Sequence, residues 1–131
     1  MPAWAINLAT CIALQWFLHQ WGDYMLQTTW MALTKVQRTP QGWLAAISHG
    51  CIYTIPFLVL IHQLNLSHLE VRGGIICLTH TLIDHYRMNG VWARLVNWEW
   101  KKEQPIIPAW CLVEIDQIMH FTINTITLFW S

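Results

Sequence analysis

Charge is what this chain has least of. Seven Lys and Arg and seven Asp and Glu among 131 residues make charged side chains only 11% of the sequence, against about 25% in an ordinary soluble domain. That scarcity, beside 55% apolar residues, excludes intrinsic disorder. It also leaves too few Lys and Glu to clothe the outer faces of a soluble four-helix bundle. The signs cancel and no basic stripe exists, so nucleic acid is excluded as a partner. Alternating Val/Ile/Thr strand patterns are largely missing, and Ile123–Thr127 merely continues a longer apolar run. No basic segment precedes the first apolar run, which carries His19 and Asp23, so it does not read as a cleaved signal peptide. No Cys-x-x-Cys occurs. Cys11, Cys51, Cys77 and Cys111 fall one to each apolar run and read as small buried apolar residues.

What is abundant is apolar length and tryptophan. A membrane helix needs about 20 mostly apolar residues. Four segments qualify: Ala3–Leu33, which is overlong, Gly42–Leu64, Val71–Met88 and Ile106–Trp130. Pro40 and Gly42 break the chain after the first. Pro105 and Pro108 open the fourth, and Pro56 predicts a kink in the second. Trp92, Leu95, Val96 and Trp100 at helical spacing predict a short interfacial helix over Val91–Trp100. The expected fold is therefore all-α: a single integral-membrane domain over residues 1–131, with four transmembrane helices and an interfacial helix between spans 3 and 4.

Basic residues orient it. Lys35, Arg38, Arg87, Arg94, Lys101 and Lys102 fall on the side of loops 1–2 and 3–4, and only Arg72 on the other. Such loops are cytoplasmic, which puts both termini on the non-cytoplasmic side of a cell membrane. Trp30, Trp43, Trp92, Trp98, Trp100 and Trp110 crowd the same edge, and Trp4 and Trp130 mark the other. Gly and Ala in the spans leave room for a homo-oligomer.

Ionisable residues inside spans read as functional by default. His19, Asp23 and Gln27 are four apart in turn, as are His80 and Asp84, and Asp116 and His120. Residues four apart share a helix face. His49 adds a fourth helix. Counted from the shared loop side, Asp23, His49, Asp84 and Asp116 lie roughly 9–15 Å deep, and His19, His80 and His120 about one turn deeper. Imidazole and carboxylate meeting at one level suit a divalent metal, zinc first, with iron or manganese as alternatives. His19, Asp23, His49, His80, Asp84, Asp116 and His120 are the candidate ligands of one or two ions, with Gln27 and Gln117 as outer contacts. Asp84 and Asp116 are the candidate catalytic bases. The same groups could instead hydrogen-bond across helices and hold the bundle together, or carry ions or protons. Glu114 faces elsewhere, His85 reads as a solvated interfacial residue, and His62 and His68 as outer-loop residues.

His19-x-x-x-Asp23-x-x-x-Gln27 with Trp30-Met31-Ala32, then Ser48-His49-Gly50, Thr79-His80-x-x-x-Asp84 and Asp116-Gln117-x-x-His120 together resemble a group of small multi-pass bacterial and phage membrane proteins, the domain of unknown function 3307. The resemblance spans all four segments. It implies a four-span polytopic protein and makes these His, Asp and Gln residues the family's shared polar set. Members often carry a second His one turn after the first in span 2, where this chain has Tyr53. A looser likeness links the pattern to bacterial membrane-bound metal-dependent hydrolases. The expected function is a divalent-metal-dependent hydrolase acting on an amphiphilic or lipid-linked substrate at the cytoplasmic leaflet. The alternative is a non-enzymatic membrane protein, either a transporter or a phage-type interaction protein.

Overall fold

A computed structural model describes residues 3–97 and 107–129, without the side chains of residues 3–8 and of Cys11. The expectations placed on Trp4, Cys11, Trp98, Trp100, Lys101, Lys102, Pro105 and Trp130 lie outside the described residues. Every described element is helical.

Helix α1 (Ala3–Gln20) runs into a π-helical turn, Trp21–Met25. The Leu26 N–H reaches back five residues to the Trp21 carbonyl at 2.9 Å, which closes that wider turn. The chain then leaves helical geometry and restarts as α2 (Thr29–Thr34), where the Thr28 hydroxyl accepts from the Met31 N–H at 3.3 Å. The first apolar run is thus two helices and a break, not one long helix. Packing is tight at the π turn. A β-carbon on Gly22 would stand 2.4 Å from the Tyr53 ring, so the backbone itself is pressed against the neighbouring helix here.

Helix α3 (Pro40–Gln63) begins where Thr39 accepts from the Gly42 N–H at 3.1 Å, with Pro40 in the first turn. It turns back through residues 64–68 into the antiparallel α4 (Leu69–Tyr86). The two backbones touch at Gly50, where a β-carbon would lie 2.1 Å from Thr81 Oγ1 and 3.1 Å from the Cys77 carbonyl. Arg87 links α4 directly to α5 (Met88–Val96), so the short helix expected over Val91–Trp100 starts three residues earlier than its sequence pattern suggested. Helix α6 (Ala109–Phe129) follows Pro108 and packs against α1, α4 and α5. Asn89 Nδ2 donates to the Leu112 carbonyl at 3.2 Å and pins α5 to it.

Two ends are defined. At one, the Lys35 carbonyl meets His85 Nδ1 at 2.7 Å and the Arg38 guanidinium lies 4.2 Å over the Tyr86 ring, so the loops after α2 and α4 share a face. At the other, Arg72 donates to the Ser67 and Thr127 carbonyls and ties the start of α4 to the end of α6. Two expectations are corrected. His85 is fully buried against Trp43, with ring centroids 3.9 Å apart, and is not solvated. Of the described cysteines, Cys51 is exposed and Cys77 and Cys111 are half-buried, because they lie toward the outer faces of their helices.

The distribution of polarity is inverted relative to a soluble domain. Among the described residues thirteen polar side chains are buried against eleven apolar ones, while Trp16, Phe17, Leu44, Val59, Leu78, Ile118 and Ile126 are exposed. One apolar cluster, Tyr53, Phe57, Leu60, Ile61, Ile76 and Leu128, fills the end away from the short loops. Among the described residues, only Pro40–Gln63 is both long and apolar enough to cross a membrane. The Asn, Gln and His of α1 and the acidic residues of α4 and α6 hold those helices below that mark.

The Gly50 contact yields a test. Gly50→Ala should push α3 off α4 and cost about 1–3 kcal/mol, read as a lowered thermal unfolding midpoint of the purified chain. Gly74, with nothing within 4 Å of a β-carbon, is the control: Gly74→Ala should leave the midpoint unchanged or raise it.

Candidate metal centre

Helix direction brings the polar residues together. Side chains lean toward the N-terminus of their own helix. Helix α3 runs away from the short-loop end and α4 runs back toward it, so His49 leans outward and Asp84 leans inward, and they meet. The π-helical turn delivers Asp23 to the same point, and α6 supplies Asp116 and His120.

Four atoms form the tightest group: His49 Nε2, His80 Nε2, Asp23 Oδ1 and Asp84 Oδ2. The two nitrogens are 3.0 Å apart. Asp23 Oδ1 is 3.2 Å from each of them, and Asp84 Oδ2 is 3.3 Å from His49 and 3.4 Å from His80. Ligands bound at about 2.0–2.1 Å in a tetrahedron stand about 3.3 Å from one another, the spacing found along these five edges. Hydrogen bonding alone does not account for the crowding. His49 Nε2 also lies 3.0 Å from the Gln27 amide, and one ring nitrogen offers a single proton or a single lone pair.

A second group surrounds the first. His19 Nε2 is 3.1 Å from Asp23 Oδ2, and His120 Nε2 is 3.4 Å from Asp84 Oδ1 and 3.5 Å from Asp116 Oδ2. Both nitrogens are buried without a well-aligned hydrogen bond among the described residues. Asp23, Asp116 and His120 also offer ligand atoms within 4.8 Å of one another. His80 Nδ1 and His120 Nδ1 are 3.1 Å apart, a distance that one shared proton explains. If His80 supplies that proton, its Nε2 presents a lone pair to the tetrahedron, and neutral His120 then carries its own proton on Nε2. The two rings therefore do not both present Nε2 lone pairs as neutral imidazoles, which favours one ion over two.

Charge leads to the same count. Asp23, Asp84 and Asp116 bring three carboxylates. Against them stands Lys35, whose Nζ is 2.5 Å from Asp84 Oδ2. With neutral imidazoles the cluster is two charges short, which one divalent cation supplies. The Gln27 amide oxygen faces both Lys35 Nζ at 2.6 Å and His49 Nε2 at 3.0 Å and accepts from each, since an amide N–H would repel the ammonium; a bound ion would take the place of the His49 Nε2 proton.

Of the residues anticipated as ligands, Asp23, His49, His80, Asp84, Asp116 and His120 offer atoms to one of two sets that could hold an ion, His19 is in neither and meets the centre through Asp23, and Gln27 lies against His49. Gln117 instead accepts from Gln20 at 2.9 Å on the α1–α6 seam, and no contact from it to the cluster is seen among the described residues. Glu114 is exposed and apart. Sequence reasoning missed two residues. Lys35 counted only as a loop charge, because nothing in the sequence shows the break that folds α2 back over Asp84. Tyr53 counted only as a departure from a second histidine, yet it is four residues after His49 and on the same helix face. Its hydroxyl is 2.7 Å from His19 Nδ1 and accepts from Asn124 Nδ2 at 2.8 Å, and its ring stacks on His80 at 3.6 Å. Through His19, whose Nε2 is 3.1 Å from Asp23 Oδ2, and through the stack on His80, Tyr53 orients two members of the cluster.

The arrangement defines an all-α protein with a buried His/Asp cluster able to hold a divalent metal. The chain belongs to the family described as protein of unknown function (DUF3307), whose model matches residues 11–131. No curated protein and no solved structure matches it.

Tyr53→Phe should keep the stacked ring and lose both hydroxyl bonds. The expected outcome is about 1–3 kcal/mol of lost stability from the stranded Asn124 and His19 groups, with metal affinity weakened about 10–100-fold. Thermal unfolding and competition with a chromogenic chelator read the two effects separately.

Proposed function

We propose that the chain is a membrane-embedded hydrolase that uses one divalent metal ion, zinc first, to cleave an amphiphilic or lipid-linked substrate at the cytoplasmic leaflet. The observation that carries this reading is the near-tetrahedral set of His49, His80, Asp23 and Asp84 atoms, with five edges of 3.0–3.4 Å. Two nitrogens and two oxygens in that shape favour zinc over metals that prefer six ligands.

Membrane placement is supported by the inverted polarity. A bundle with apolar Trp16, Phe17, Leu44, Val59, Leu78, Ile118 and Ile126 outside and buried His and Asp suits a lipid exterior, where intramembrane polar groups turn inward. On this reading α1 with its π turn, α3, α4 and α6 are the four spans. His19, His80, Asp84, His120 and Asn124, which depress their hydropathy, are spent on the interior, while Glu70 and Glu114 are exposed. The short-loop end, with Lys35, Arg38 and Arg87, faces the cytoplasm.

A bound divalent ion supplies a Lewis acid and an acidified water. The protein's own groups complete hydrolysis. Asp116 is half-buried and lines the cleft above the cluster together with Asp84. Asp116 takes the proton of the attacking water, whose oxygen joins the electrophilic centre. The bond to the leaving oxygen breaks, and that oxygen receives the proton. Lys35 pairs with Asp84 at 2.5 Å.

A second reading, ion or proton passage, is favoured by one feature. Polar contacts continue beyond the cluster, from His19 through Tyr53 to Asn124, and Gln15 Nε2 donates to Thr125 Oγ1 at 2.7 Å on the same α1–α6 seam.

The purified full chain should carry about one equivalent of transition metal by elemental analysis. His49→Ala and Asp84→Asn should lose the metal and all hydrolysis of a lipid-linked ester or phosphoester. Asp116→Asn should keep the metal and lose turnover. Wild-type protein free of metal sinks the enzyme, and ion flux in proteoliposomes that is blocked by Gln15→Leu would establish passage instead. Release from membranes by alkaline carbonate would sink the membrane placement.

A further inference from the structure

The short-loop end of the cluster opens into a cleft of about 180 Å³. Its walls carry Lys35, Arg87, Asn89 and Tyr24, and its floor is Asp84 and Asp116. Lys35 is held there by Asp84 at 2.5 Å and by the Gln27 oxygen at 2.6 Å. Arg87 is different. It is exposed, its side chain makes no hydrogen bond or ion pair among the described residues, and it lines the cleft. Its backbone is left-handed, φ 49° and ψ 52°, a conformation that a β-carbon disfavours and glycine adopts freely. The residue that caps α4 in this shape is an arginine, and its guanidinium is the unmatched cation of the cleft.

A cleft with two carboxylates in its floor repels anions while the cluster lacks a cation. One divalent ion changes the sign of that balance. Asp23, Asp84 and Asp116 are then matched by the ion and Lys35, and the charge left over at the cleft is Arg87. A planar guanidinium beside an ammonium and an amide N–H donor suits the oxygens of a phosphoryl group, which arginine binds through paired hydrogen bonds. An apolar groove adjoins the same elements. Ile83, Met88 and Ile115, the chain neighbours of Asp84, Asn89 and Asp116, line it.

We infer that the cleft is a phosphoryl site. It takes a phosphate or the phosphoester end of a larger substrate, with Arg87 and Lys35 as cationic partners and the metal-loaded carboxylates as its floor. The inference rests on the metal-dependent reading and narrows its substrate class to phosphate esters. A lipid head group and a free phosphate share this chemistry.

The test is calorimetric titration of the zinc-loaded full chain in micelles with inorganic phosphate and with dodecyl phosphate, with metal content measured on the same samples. Both probes should bind the loaded protein, and neither should bind after chelator treatment. Arg87→Gly and Lys35→Gln should each weaken binding by about tenfold or more. Arg87→Gly should do so at full metal content and with an unchanged or higher unfolding midpoint, because it relieves the left-handed backbone. Dodecyl phosphate binding at least about tenfold tighter than inorganic phosphate supports the site with a lipid head group as the source, and equal binding supports it with free phosphate. Full metal content with neither probe bound overturns the phosphoryl site alone, as does binding untouched by both substitutions. A chain that holds no zinc overturns this site and the hydrolase together.

Discussion

Three carboxylates and four imidazoles share one interior, and the rest of the architecture follows from keeping them there. An ionised carboxylate in a protein interior is tolerated only when paired and hydrogen-bonded. Each of the longer helices therefore contributes to the same few cubic ångströms. Helix α4 gives His80 and Asp84, α6 gives Asp116 and His120, α3 gives His49, and α1 with its π turn gives His19 and Asp23. The close backbone contact at Gly50 and the pressure of Gly22 on Tyr53 let the helices approach near enough for those side chains to meet. An apolar core exists, but it fills the opposite end of the bundle. The polar cluster is thus the joint about which the bundle is assembled.

Periodicity made much of this legible. His and Asp four residues apart on three segments put both groups of each pair on one face, and the shared depth of the four segments foretold their convergence. The helical class followed from missing strand patterns, and the family from the joined motifs. What stayed hidden depends on long-range packing. The break after Met25 carries no proline to mark it, and the close approach of Gly22 to the Tyr53 ring beside it joins residues 31 positions apart. The return of Lys35 onto Asp84 depends on that break. His85 looked like an interfacial residue because it follows Asp84, yet Trp43 and the Lys35 carbonyl enclose it. Gln117 reads as an outer contact of the cluster, but it follows Asp116 directly and neighbours on a helix point about 100° apart, so it serves the α1–α6 seam instead.

Number of spans is where sequence windows and three-dimensional arrangement part. A window average treats His19, Asp84 and Asp116 as costs to membrane insertion, and by that measure only α3 qualifies. In the folded bundle those side chains do not face outward. What the proposed lipid phase would meet is Trp16, Phe17, Leu78, Ile118 and their neighbours. Helices whose central polar groups are committed to one another cross a bilayer as a set more readily than they do singly.

The π-helical turn at Trp21–Met25 carries a consequence of its own. Such a turn is one residue more than an α-helix needs, and one residue is about 100° of rotation. His19 precedes it and Gln27 follows it, so the two are held in different angular frames along one chain. Removing a single residue from the turn would leave α1 helical and leave His19 against Tyr53, but would swing the following segment, α2 and Lys35 with it, away from Asp84. The centre could then be dismantled by a change of phase alone, with every ligand still present in the sequence.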